Sequence, residues 1–330
     1  MRLTARFALL LLLVGWVAGL HGVVAQVVQR RVLPATPLAS SRVQPLDARH
    51  RLFYQLAPQQ QPPQGLLVLL PGRGEPARDV FRATRLAHEA AARGLLVLAL
   101  GLNDRLYLDS LSLQVLDAAI GQAVRTNPTL AAHVALGGFS TGGQLALAYA
   151  ETVRRDITHR PWQIRAVLGV DPPVDLVAHW QRAQQERTLA DCPAVQASSQ
   201  RLAQEMTAAF GGSPTQVPAV YQARSAFVQG DSLGGNARYL RHLPVRLYCE
   251  PDLAYWQQHY CASYQLSNLN APSVAALVAC LQRQGNRQAT YVQTTGKGFQ
   301  GKHRMPHAWS IVEAAEGATW LAAMLAGASR

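Results

Sequence analysis

Apolar runs constrain this chain more than any other feature: three continuous ones, Leu66 to Leu70, Leu95 to Leu100 and Ala135 to Phe139, and a fourth, Ile164 to Val170, interrupted only by Arg165. A run with no polar alternate reads as a strand buried on both faces, which is the pattern of a parallel sheet covered by helices. The stretches between them are helical in character. Pro76 to Arg93 carries Pro near its first turn and Gly94 just past its end, and Leu113, Leu116, Ile120 and Val124 recur at helical spacing before Pro128. Strands and helices alternating in this way predict βαβ units and an α/β fold with a mostly parallel central sheet and helices on both faces. Such sheets carry their active groups on loops at the carboxyl ends of the strands. Pro71-Gly72-Arg73-Gly74, Ser140 and Asp171 all stand at such ends.

The alternation stops at Val174 and resumes at Pro244 to Cys249, so 174–242, with helical patterns at His179 to Glu186 and Ala194 to Phe210, is expected to be a helical cap inserted into one domain. After it come a helix over Pro272 to Gln284, a last strand over Ala289 to Thr294 and a closing helix over Trp309 to Leu325. That domain spans 51–330 and begins with an early edge strand at Arg51 to Leu56. The Pro- and Gln-rich 26–50 reads as an extended leader. Residues 1–25 read as a signal peptide, with Arg2 and Arg6, an apolar run from Phe7 to Leu20, and small residues at Val23-Val24-Ala25 before Gln26. A secreted or periplasmic protein with no stable membrane span after cleavage is the expectation.

The net charge is +12, to which Arg2 and Arg6 contribute. The only lysines are Lys297 and Lys302, and the arginines are scattered among Ala, Leu and Gln without a basic helix or an aromatic-interleaved groove. This argues against a nucleic-acid partner. The four cysteines, Cys192, Cys249, Cys261 and Cys280, leave room for two disulfides in three connectivities. None has metal-ligand spacing with a nearby histidine, so no metal is expected.

The third apolar run ends in Gly138-Phe139-Ser140-Thr141-Gly142 and leads into a helical pattern. A serine on a sharp strand-to-helix turn needs neighbours with almost no side chain, and Gly138 and Gly142 supply them. Ser140 therefore reads as a nucleophile. Its hydroxyl needs an imidazole to take its proton and a carboxylate to hold that imidazole. His307, in Met305-Pro306-His307-Ala308-Trp309 at the start of the closing helix, is preferred to His303 in the Gly-rich part of the same loop. For the acid, Asp252 stands on the loop after the strand ending at Cys249 and is preferred to Glu250. Asp171 and Asp175, after the preceding strand, are the outside candidates, Asp171 being otherwise a turn or helix-cap residue before Pro172-Pro173.

The order Ser140, Asp252, His307, the elbow between strand and helix, and a cap before the acid strand together resemble the α/β-hydrolase family, over roughly Arg51 to Leu325. The resemblance implies the α/β-hydrolase fold and an acyl-enzyme mechanism without a cofactor. It also implies an oxyanion hole from the backbone N–H of Thr141 and one from the loop after the first central strand, here Arg73. That loop departs from the family, with Pro71-Gly72 where His-Gly is usual. A serine hydrolase of carboxylic esters, acting on a small-molecule or lipid-like substrate, is the expected function. A peptidase or amidase of the same fold and a noncatalytic binding protein on the same scaffold are the alternatives. Trp180, Trp256 and Trp309 are candidates for a substrate pocket.

Overall fold

The computed structural model describes residues 27–34, 48–59 and 62–327. The expected signal peptide, its cleavage point before Gln26 and leader residues 35–47 lie outside them. Eight strands form one sheet: β1 (Val28–Val32), β2 (Leu52–Leu56), β3 (Gly65–Leu70), β4 (Leu95–Leu100), β5 (Val134–Phe139), β6 (Ile164–Val170), β7 (Val245–Cys249) and β8 (Ala289–Gln293). Their spatial order is β1-β2-β4-β3-β5-β6-β7-β8. The β1–β2 and β2–β4 pairs are antiparallel and all the others parallel. Part of the expected leader is thus a strand of the sheet. Val28 to Val32 pairs with β2, which moves Leu52–Leu56 from the edge into the second position.

The apolar runs are continuous because the sheet is covered on both faces. On β3, Leu66, Val68 and Leu70 enter one core while Leu67 and Leu69 enter the other, and β4 divides in the same way. The first core is closed by α3 (Ser110–Thr126), α4 (Thr141–Arg155) and α9 (Ala271–Arg283). The second is closed by α1 (Val80–Ala83), α2 (Leu86–Ala92) and α10 (Ala314–Ala326). The expected helix over Pro76 to Arg93 is broken at Thr84, whose backbone is extended and whose Oγ1 accepts from Leu86 N (3.1 Å), starting α2 afresh. The closing helix begins later than expected, where Glu313 caps α10 through the N–H groups of Ala315 and Glu316.

Between β6 and β7 lie α5 (Leu176–Glu186), α6 (Pro193–Phe210) and α7 (Pro218–Arg224). They share a small core of Leu176, Met206, Phe210 and Tyr221. After β7 a further helix, α8 (Leu253–His259), buries none of its residues. A disulfide joins Cys192, at the start of α6, to Cys261, just after α8, while Cys249 and Cys280 are free and buried. The segment between β8 and α10 carries a short hairpin, β9 (Phe299–Gln300) and β10 (His303–Arg304). Among the described residues no helix is long and apolar enough to cross a membrane.

One buried group opposes the fold. Glu151, on the inner face of α4, has an Oε1 with no hydrogen-bond partner, and burial raises its carboxyl far above its ordinary value against the weaker pull of Arg155. The native state therefore binds a proton that the unfolded chain releases above about pH 4.5. By linkage, this group's contribution to stability falls as pH rises above that value and levels off only once the folded carboxyl has titrated. Glu151→Gln should gain stability relative to the wild type as the pH of urea unfolding is raised from 4.5. A pH-independent difference between the two proteins would be inconsistent with a neutral buried Glu151.

Candidate active site

Ser140 sits at the junction of β5 and α4 with φ 53° and ψ −124°. A side chain other than glycine's seldom adopts this conformation, and it is held here by Ser140 N donating to Val170 O (2.8 Å) and by Gly143 N donating to Ser140 O (2.9 Å). The turn is tight enough to exclude any Cβ on either side. At Gly138 it would overlap the carbonyl of Gly142, and at Gly142 it would overlap the carbonyls of Leu70 and Pro71 at the end of β3. Gly72 is constrained as well, since a Cβ there would stand 2.6 Å from the ring of Phe139.

The only other described non-glycine residue with positive φ is Asp171, at 47°, on the end of the neighbouring strand β6. Its N–H donates to Tyr248 O (2.7 Å), and its carbonyl accepts from Asn270 Nδ2 (2.9 Å). The carboxylate so aimed takes His307 Nδ1–H at 2.6 Å. A carboxylate has no proton to give, so Nδ1 carries the hydrogen and Nε2 is left as the acceptor. The imidazole also packs on Phe139, the residue before Ser140, with ring centroids 4.6 Å apart. Beneath Asp171 lies the thiol of Cys249, pushed up by burial first and by the charge of Asp171 second.

Asp252 does not meet His307. Its Oδ1 accepts from Tyr255 N (3.0 Å), capping α8, and its Oδ2 accepts from Arg304 Nη2 (2.8 Å). Glu250 is also taken by Arg304, and its Oε2 accepts from Thr294 Oγ1 (3.1 Å), Lys297 N (2.8 Å) and Gly298 N (3.0 Å). The two carboxylates after β7 therefore fasten the loop that carries His307, through an arginine three residues before it. The cause is charge complementarity: a partly buried guanidinium on that loop takes the nearest acids, and the acid after β6 is left for the imidazole. His303 lies on β10 and is exposed.

Across the cleft, the N–H groups of Arg73 and Thr141 donate to no other group among the described residues. The loop that presents Arg73 is braced by Glu75, which sequence reasoning did not single out. Gly72 N donates to Glu75 Oε2 (3.0 Å), and Trp309 Nε1 donates to both oxygens (3.1 and 2.9 Å). Burial raises the Glu75 carboxyl, against the lowering effect of these hydrogen bonds. Trp309 follows His307 by two residues and packs on Phe139, so Glu75 ties the Arg73 loop to the His307 loop. The Arg73 side chain reaches the cap instead, pairing with Glu205 on α6.

A cavity of about 340 Å³ opens beside His307 and Asp171. Arg73, His179, Arg182, Glu186, Trp256 and Tyr264 are among the residues that line it. Of the three tryptophans considered for a pocket, Trp256 alone lines this cavity. Trp180 donates to Thr207 Oγ1 within the cap, and Trp309 is in the core.

No protein-family model and no curated protein matches the sequence. Solved structures do match in shape. Esterase B from Lactobacillus rhamnosis superposes with a TM-score of 0.52 at 15% identity, covering 92% of this chain and 87% of that one. MPT51 of Mycobacterium tuberculosis gives 0.52 at 12% identity, covering 89% and 98%. The Pyrobaculum calidifontis esterase gives 0.50 at 16%, covering 92% and 86%.

The chain has the α/β-hydrolase fold. Within this fold the loop at Arg73, the elbow at Ser140 and Asp171 stand at the carboxyl ends of β3, β5 and β6, and His307 meets that edge at Asp171. The carboxylate on His307 comes from a different strand than predicted.

Removing the Glu75 carboxylate strands the indole N–H of Trp309 and the N–H of Gly72. Glu75→Ala should cost about 1–3 kcal/mol in denaturant unfolding, and Glu75→Gln, which keeps an acceptor, clearly less. Equal losses for the two variants would show that the bridge does not brace the loop.

Proposed function

We propose that the protein is a serine hydrolase of carboxylic esters that works through an acyl-enzyme, with Ser140 as nucleophile, His307 as general base and acid, and Asp171 as the carboxylate that orients His307. The observation that carries this reading is the 2.6 Å hydrogen bond from His307 Nδ1 to Asp171, made by an imidazole that packs on Phe139, the residue before a serine in a strained backbone turn. With its Nδ1 hydrogen committed, His307 has Nε2 available for the Ser140 proton. Ser140 Oγ attacks the ester carbonyl, and the resulting oxyanion is received by the N–H groups of Arg73 and Thr141. These two donors have no competing partner and need not reorganise when charge develops. His307 then returns the proton to the leaving alcohol, and water cleaves the acyl-enzyme by the same path in reverse.

Esterases among the structural neighbours support ester over amide chemistry in this reading. The Cys192–Cys261 disulfide supports export to an oxidising compartment.

Two measurements test the assignment. A fluorophosphonate should label the wild type on Ser140, and Ser140→Ala should lose ester hydrolysis. Asp171→Asn should lower kcat by a factor on the order of 10³ to 10⁴, because it leaves the imidazole in the wrong tautomer. Asp252→Asn should cost less than about tenfold, since Glu250 still holds Arg304. The reverse ranking of the two asparagine variants would return the role to Asp252.

A further inference from the structure

The cavity beside His307 holds a cation that nothing in the proposed mechanism uses. Arg182, on α5, lines the cavity together with Asp171 and His307. Among the described residues its side chain makes one hydrogen bond, to His179 Nδ1, and no carboxylate lies within ion-pair distance of it. Of the other charged groups of the cavity, Glu250 pairs with Arg304 and Arg73 with Glu205, while Asp171 accepts a hydrogen bond from the neutral imidazole of His307. Glu186 lies one turn further along α5, and its oxygens are taken by Ser199 Oγ (2.6 Å) and Asn268 Nδ2 (3.3 Å).

His179 cannot serve as a counter-ion. Burial, followed by the charges of Arg182, Arg73 and His307, lowers its basicity strongly, so it stands neutral and accepts the guanidinium. Burial also lowers the basicity of Arg182, and Glu186, Asp171 and Tyr264 do not return all that is lost. The guanidinium stays charged nonetheless. A half-buried guanidinium with N–H donors to spare, in an open cavity beside His307 and Asp171, is placed to receive an acidic group.

Resting on the hydrolase reading above, we propose that the cavity takes short esters that carry a free carboxylate, and that Arg182 holds that carboxylate. The planar fork of the guanidinium can offer a carboxylate two parallel N–H donors, which an ammonium cannot. The size and lining of the cavity fit the same substrate class. At about 340 Å³, with Arg182, Glu186, Asn268 and Asn270 among its walls, it suits a compact polar ester and not a long acyl chain. Trp256 and Tyr264 supply flat apolar faces for the carbon skeleton.

Monomethyl adipate and dimethyl adipate present the same methyl ester with and without a free carboxylate. The wild type should show a kcat/KM at least about tenfold higher on the monoester. Arg182→Met should cut the monoester-to-diester ratio by about ten- to a hundredfold, and Arg182→Lys should fall between. A wild-type ratio of one or less, or the same ratio in Arg182→Met, would overturn the proposal.

Calorimetric titration of adipate into Ser140→Ala, and into Ser140→Ala combined with Arg182→Met, reads the contact without turnover. The first should bind and the second should lose about ten- to a hundredfold in affinity, whereas equal affinities overturn the proposal. Retained hydrolysis by Ser140→Ala would refute the hydrolase reading alone, and the titration would still decide on Arg182. Should Arg182→Met fail to fold, the wild-type ratio and the Lys variant decide.

Discussion

The carboxyl edge of the sheet depends on how closely the backbone at Ser140 turns from β5 into α4. The approach of Gly142 to the carbonyls of Leu70 and Pro71 seats the helix directly against the end of β3. That contact sets the spacing between the Thr141 N–H and the Arg73 loop, and it fixes Phe139, against which both His307 and Trp309 pack. A side chain at Gly138 or Gly142 would force strand and helix apart and open all of these distances together. The strained φ of Ser140 is thus set by the packing around it.

Two sets of acids meet the loop that carries His307, and they divide the work. Asp171 takes the imidazole, while Glu250 and Asp252 take Arg304 and the backbone around Gly298. The first contact sets the tautomer and the second sets the position of the loop. Glu75 adds a third fastening from the opposite side, through Trp309. The imidazole therefore stands on a segment held at three points, and its own hydrogen bond need not also anchor the loop.

The central sheet was legible because burial on both faces removes polar residues from the strands, and the elbow was legible because only glycine fits its turn. The acid was not. Asp171 and Asp252 both follow a strand and both precede the histidine, and nothing local distinguishes them. The deciding residue is Arg304, whose claim on Glu250 and Asp252 exists only once β8 and its loop have packed beside β7. β1 was missed because Val28-Gln29-Arg30-Arg31-Val32 is an edge strand, largely exposed, with no continuous apolar run to mark it. Glu75 was missed because its two donors come from 3 and 234 residues away, one of them an indole that read as a pocket wall.

The most direct test of the account is the crystal structure of the protein after reaction with an alkyl fluorophosphonate. The account predicts phosphorus bonded to Ser140 Oγ, with a phosphoryl oxygen about 2.7–3.1 Å from the N–H groups of Arg73 and Thr141. It also predicts His307 Nδ1 still on Asp171. An adduct on another residue, or a phosphoryl oxygen turned away from both N–H groups, would contradict it.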